Sequence, residues 1–175
     1  MTQSDTSEYP NRPFHILVIT LSDRASKSEY SDRSGPMVAE LLNEFFAARK
    51  RVIHLTTTII PDHADRLQSL VSQAVADSTD IVITTGGTGV GPRDITVDTI
   101  RPMLACEVPG IMEMIRLRYG ATKPNALLSR SVAGFIGNTL VYTLPGSVKA
   151  VKEYMEEILK TMEHLIDMRH GLDTH

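Results

Sequence analysis

Apolar residues along the chain fall into two alternating spacings. Short continuous apolar runs rich in β-branched residues occupy 14–21 (FHILVITL) and 80–85 (DIVITT), the pattern of strands buried in a parallel sheet, and 52–60 reads as a further strand that ends at Pro61. Between them the apolar positions recur every three or four residues. Val38, Leu41, Leu42 and Phe45 predict a helix over 36–48 opened by Pro36, and Leu67, Leu70, Val71 and Ala74 predict one from Asp62 or His63 to 75. The stretch 22–35 is polar and reads as loop. Beyond the run at 80–85, Thr96 predicts an N-cap for a helix to about 105 that Pro102 kinks or shortens, and Pro109 opens another to 119. The segment 126–145 is β-like, with Gly137-Asn138 as a hairpin turn in which Asn138 tolerates positive φ. A single long helix is predicted over 147–170, with Val148, Val151, Tyr154, Met155, Ile158, Leu159, Met162 and Leu165 on its packed face. Strands alternating with helices predict an α/β fold, a mostly parallel sheet with helices on both faces.

The length, 175 residues, suits one domain. The pattern places it at 14–170, between a disordered N-terminal tail at 1–13 and a short C-terminal tail at 171–175. A hydrophobic fraction of 42% is enough for a core. Net charge is −3 and no dense Lys/Arg run appears, which argues against nucleic acid as a partner. It leaves room for an anionic small molecule, because backbone amides and a few Arg bind one without a basic surface. The one cysteine, Cys106, allows no intrachain disulfide and reads as a buried apolar filler. The six histidines show no H-E-x-x-H spacing. The polar opening MTQSDTSEYPNR holds no signal-peptide core, and no apolar run approaches the roughly 20 residues of a membrane span. The expectation is a cytoplasmic protein with no membrane contact.

In parallel α/β sheets, ligands bind at the C-terminal ends of the strands. Polar segments follow each of the first three strands: Ser22-Asp23-Arg24, then Pro61-Asp62, then the glycine-rich TTGGTGVGPRD at 84–94. Glycines there allow positive φ and close backbone approach to a phosphate. The loop is not a Walker A loop, because no Gly-Lys-Ser/Thr follows. It also lacks the G-x-G-x-x-G spacing after a first strand, which disfavours a dinucleotide oxidoreductase. Arg93-Asp94 closes it with a charged pair. On spacing alone, Asp94 is as readily a helix-leading Asp, Asp62 an N-cap, and Arg93 a surface residue. His63 reads as a surface helix position.

The loop resembles the GGTG…RD signature of the MogA/MoaB family, which includes the gephyrin G domain. Further pieces agree in order: Ser22-Asp23-Arg24, Asp32-Arg33-Ser34-Gly35-Pro36, Ile60-Pro61-Asp62, Thr96-Val97-Asp98, Pro109-Gly110, Leu128-Ser129-Arg130 and Leu144-Pro145-Gly146-Ser147. The resemblance covers 14–168. It implies a three-layer αβα sandwich with a β-hairpin region near the C-terminus, assembled as a homotrimer. The activity implied is molybdopterin adenylyltransfer: AMP passes from ATP to the terminal phosphate of molybdopterin, and pyrophosphate leaves. The alternative within the family is a MoaB-like protein that binds molybdopterin without catalysis, or acts as a scaffold. Carried over by the resemblance, Asp62 and Asp94 are catalytic and hold Mg²⁺. Ser22, Asp23, Gly86, Gly87, Thr88, Gly89, Arg93, Ser129, Arg130, Pro145, Gly146 and Ser147 contact substrate, with Arg130 a phosphate clamp. A molybdenum-insertion protein is the implied recipient of the product.

Overall fold

The computed structural model describes residues 12–172; of the expected tails at 1–13 and 171–175, positions 1–11 and 173–175 lie outside the described residues. Six strands form one sheet in the order β2-β1-β3-β6-β5-β4. They are β1 (Phe14–Leu21), β2 (Ile53–Ile60), β3 (Ile81–Thr85), β4 (Cys106–Glu107), β5 (Ala133–Ile136) and β6 (Thr139–Leu144). β2, β1, β3 and β6 are mutually parallel, and β5 and β4 join by antiparallel pairing. The helices among the described residues are α1 (Asp23–Ser26), α2 (Ser34–Ala48), α3 (Ala64–Ala76), α4 (Thr96–Ile100), α5 (Pro109–Gly120), α6 (Val148–Ile158) and α7 (Met162–Arg169).

The period-two alternation of β1 divides the core. Phe14, Ile16 and Val18 pack with Val38, Leu42 and Phe46 of α2, Met112 and Ile115 of α5, and Val151, Met155 and Met162 of α6 and α7. Ile19 and Leu21 belong to the other face, with Leu67 and Val71 of α3 and Val97 and Ile100 of α4. Two helical layers therefore enclose the sheet, and the central strands are apolar along their length for that reason.

Local chemistry moves several boundaries. α2 begins at Ser34 rather than Pro36, because Asp32 caps it: Oδ1 accepts from Ser34 N (2.9 Å), Ser34 Oγ (2.9 Å) and Gly35 N (3.2 Å). The other oxygen of Asp32 accepts from Thr20 Oγ1 at 2.6 Å, tying α2 to the end of β1. The expected loop at 22–35 contains α1, with Ser22 as its N-cap. Thr96 is the first residue of α4 and not its cap, because its hydroxyl donates to Gly86 O (2.8 Å). That helix stops at Ile100 and passes into a 3-10 turn, Arg101–Met103, holding Pro102.

The long C-terminal helix is broken into α6 and α7. Thr161 leaves helical geometry (φ −123°), and its hydroxyl lies 3.4 Å from Ile158 O, giving that helix-end carbonyl a side-chain donor. An apolar period that continues across the break conceals it. In the hairpin turn Gly137, not Asn138, takes positive φ (58°). Cys106 is exposed, not buried, because β4 is a two-residue edge strand with little packed over it. Arg12, expected in the tail, is pinned to the buried Asp80 by two hydrogen bonds of 2.7 and 2.5 Å. α1, α2, α3 and α7 all close with a left-handed residue, Ser28, Lys50, Ser78 and Gly171 in turn. In α3, Ser78 N donates to Val75 O and Thr79 N to Ala74 O, the Schellman pattern.

Candidate active site

The ends of β1, β2 and β3 bring the three polar segments together. Leu21, Ser22, Asp23, Arg24, Asp62, Gly87, Arg93 and Asp94 line one hollow of about 330 Å³. Asp62 is not an N-cap; His63 takes that position, without a side-chain bond, and is exposed. The Asp62 carboxylate instead accepts from Asp23 N (3.1 Å), while Asp23 Oδ1 accepts from Asp62 N (3.1 Å). This reciprocal lock joins the exits of β1 and β2. Arg93 pairs with the free oxygen of Asp23 and is otherwise 65% exposed. Burial pushes the Asp62 carboxyl above its ordinary range. The Asp23 N–H opposes the shift, the Asp23 carboxylate reinforces it, Arg93 opposes and Asp94 reinforces.

The glycine loop needs glycine at two positions. Gly86 (φ +103°) sits against the Leu21 carbonyl, where a Cβ has no room, and donates to Leu144 O at 2.9 Å. Gly87 has φ +64°, and a Cβ there would lie 2.5 Å from Thr96 Oγ1. Thr96 staples the loop through Gly86 O and Gly87 O, using its hydroxyl and its amide. Asp94 Oδ2 accepts from Gly91 N (2.8 Å), which folds the loop back on itself.

Arg130 braces the same loop. Its Nε donates to Gly89 O (2.7 Å), one terminal nitrogen to Asp94 O (3.0 Å) and the other to Asp98 Oδ1 (2.7 Å). Its guanidinium is thus engaged with the protein, and Arg130 lines neither hollow. The hydrogen bond from Arg130 holds the Asp98 carboxyl below its ordinary range. Ser129 faces the loop, with Oγ 2.8 Å from Ser131 Oγ and 3.4 Å from Thr88 Oγ1.

A second hollow, about 420 Å³, opens on the other side of the loop. Gly87, Thr88, Gly89 and Asp94 form one wall, and Ser129 with Pro145, Gly146 and Ser147 form part of the rest. Ser147 caps α6, accepting from Ala150 N at 3.2 Å, so free amides of that helix end face this region. Thr85 Oγ1 fixes the turn by donating to Pro145 O at 3.0 Å. Asp94 and Gly87 line both hollows.

Sequence reasoning did not find Lys123, Asn125, Lys149, Glu153 and Tyr154, which also line the larger hollow. A faint signal existed. Ser147, Ala150 and Tyr154 stand at helical spacing on the face of α6 that begins at the cap. Lys123 forms an ion pair with Glu153 across 30 positions, which raises the Lys123 ammonium above its ordinary range.

Among the described residues, no group of three or more His, Cys, Asp or Glu converges as an all-protein metal cage. The carboxylates of Asp62 and Asp94 fit a different kind of site. Mg²⁺ is commonly held by one or two carboxylates and completed by substrate phosphates and water. The raised Asp62 carboxyl, with Asp23 and Asp94 as anionic neighbours, is an environment a cation would relieve.

The family described as "Probable molybdopterin binding domain" matches residues 17–164. The molybdopterin adenylyltransferase of Helicobacter pylori (strain J99) is 34% identical over 155 residues, 88% of this chain and 86% of the relative. The molybdenum cofactor biosynthesis bifunctional protein of Chlorobaculum tepidum is 34% identical over 97% of this chain, which spans only 52% of that protein's length. Among solved structures, the tungsten cofactor synthesizing protein MoaB from Pyrococcus furiosus superposes with a TM-score of 0.77 at 33% identity, covering 93% of this chain and 99% of that one. A family match over 17–164 and a relative 34% identical over 88% of the chain leave one assignment: the chain belongs to the molybdenum cofactor biosynthesis family of molybdopterin-binding domains.

Proposed function

We propose that this protein is a molybdopterin adenylyltransferase. The observation that carries the reading is the pair of hollows sharing the Asp94 wall at the C-terminal ends of β1 and β3. The transfer needs two anionic reactants brought end to end, one on each side of a common centre. An oxygen of the molybdopterin phosphate attacks the α-phosphorus of ATP, and the bond from that phosphorus to the bridging oxygen breaks. Pyrophosphate departs with the bonding pair. The nucleophile is already an anion, so positioning and charge neutralisation matter more than a strong base.

Each residue then has a task. The Asp23–Asp62 lock and Arg93 shape the nucleotide side, and the amides of the glycine loop face the transferring phosphates. Ser129 and the Pro145-Gly146-Ser147 turn face the molybdopterin side. Asp62 and Asp94 would hold Mg²⁺, which supplies neutralisation of the charge on the phosphates. Arg130 is a positioning residue for the loop.

The reading includes a homotrimer, cytoplasmic residence and hand-over of product to a molybdenum-insertion protein. Met114, Leu117 and Leu127, exposed on α5 and the turn after it, support self-association. Sedimentation showing a stable monomer at micromolar concentration would remove the trimer. The deciding experiment is incubation with molybdopterin, ATP and Mg²⁺, following adenylylated product and pyrophosphate. Product formation is expected. Tight molybdopterin binding with no product would give the non-catalytic family alternative instead.

A further inference from the structure

The larger hollow has two unlike ends. One is the glycine loop and Asp94, shared with the nucleotide side. The other is made by the first turns of α6 and the segment after α5, and it carries Lys123, Glu153 and Tyr154 between the apolar surfaces of Ala126, Leu128 and Ala150. Nothing in the transfer chemistry uses this far end. Yet it holds an ion pair whose carboxylate is largely withdrawn from solvent, with the Glu153 side chain 17% exposed. Only Oε1 of Glu153 meets Lys123, and Oε2 accepts from no side chain among the described residues. The hydroxyl of the neighbouring Tyr154 is buried and has no hydrogen-bond partner among the described residues. A carboxylate oxygen left open in the wall of a hollow is commonly matched by a ligand or ordered water.

We infer that the Lys123–Glu153 pair reads the 2-amino-4-oxo edge of the pterin ring and so sets the ring specificity of this site. The inference rests on the proposed function for the identity of the ligand. With the phosphate at Asp94, a ligand lying in the hollow extends its ring toward the far end. That edge of a pterin presents an exocyclic amine, a ring N–H and a carbonyl in sequence. A carboxylate accepts from the first two and an ammonium donates to the third. Ala126, Leu128 and Ala150 supply apolar surface for the flat ring, and a volume of about 420 Å³ lies within the ordinary range of small-molecule sites. The pair is already assembled across the hollow, so little ordering remains for binding to bear.

Two fluorescent probes test this without catalysis: 6-hydroxymethylpterin, and 6-hydroxymethyllumazine, which has a carbonyl in place of the amine. The wild-type protein is expected to prefer the pterin by roughly tenfold or more, the worth of one charge-assisted contact. Glu153→Gln should bring the ratio to within about twofold, and Lys123→Gln should weaken both probes together, since both keep the 4-oxo group. Glu153→Asp keeps the charge and should keep part of the preference. A pair that merely clamps α6 to the turn after α5 would change both probes equally in Glu153→Gln, and that result overturns the inference, as does a wild-type protein indifferent to the two probes. Loss of preference in Glu153→Gln together with no adenylyl transfer by the wild type would uphold ring reading and remove the enzyme reading. Transfer with an unchanged ratio would do the reverse.

Discussion

Replacing Arg130 with Met keeps the length of the side chain and removes every donor. The loss can be worked from the three bonds. Two go to main-chain carbonyls of the loop, Gly89 O and Asp94 O, from a side chain 32% exposed. At the low end for a charged donor each contributes about 1.5 kcal/mol. The third partner, Asp98, is 69% exposed and adds at most about 1 kcal/mol. The loop thus loses about 3–4 kcal/mol of local bracing, a factor of several hundred in its opening equilibrium at about 1.4 kcal/mol per tenfold. Because the loop opens without unfolding the sheet, global stability should fall by less. The assays are amide exchange at Gly91, whose N–H is held by Asp94, single-turnover adenylyl transfer, and molybdopterin affinity. Exchange should accelerate by roughly a hundredfold or more, and transfer should fall by a similar factor, since a displacement of about 1 Å in a reacting group costs that much. Molybdopterin affinity should stay within about threefold. Unchanged exchange with lost molybdopterin affinity would refute the brace and make Arg130 the direct phosphate clamp that the family resemblance implies.

Asp94→Asn keeps an acceptor for Gly91 N but loses the charge, and should cost at least roughly 10²-fold in transfer with molybdopterin binding largely intact; Asp62→Asn should also lose turnover, and activity of either variant within about threefold of wild type would end the Mg²⁺ role. Gly87→Ala puts a methyl 2.5 Å from Thr96 Oγ1 at φ +64°. It should lower stability by roughly 1–3 kcal/mol, read as a denaturation midpoint, and reduce transfer at the same time. Ser78→Gly relieves a left-handed residue (φ 58°) at the end of α3, far from both hollows. It should raise stability by up to about 1 kcal/mol, roughly 2–4 °C in Tm, with transfer unchanged.

The sheet was legible because β1 and β3 are continuous apolar runs, β2 is rich in β-branched residues, and each ends in a change of composition. That change also pointed to the residues of the smaller hollow, since ligand sites in parallel sheets follow strand ends. Spacing could not show which way a side chain turns. Asp62 reads as a cap in sequence, yet it bonds across to Asp23, 39 positions away. Thr96 reads as a cap and instead staples the glycine loop. Arg130 follows a short segment as any hairpin-edge residue would, and only the fold brings Gly89 and Asp94 to it. The far end of the larger hollow was barely legible for the same reason. Lys123 and Glu153 lie in separate elements with no motif between them, and polar residues on α6 look like a solvated face.

Asp94 stands between two hollows, and the proposed reaction joins what they hold. Each reactant grips one side alone, whereas the product is tethered at both ends. A ligand with two linked anchors leaves only when both release together, because the freed end faces a high effective concentration of its own site. The geometry that favours joining therefore favours retention. Turnover would then be set by departure rather than by bond making. Prompt discharge of the adenylylated pterin calls for an acceptor that engages the product while one end is momentarily loose.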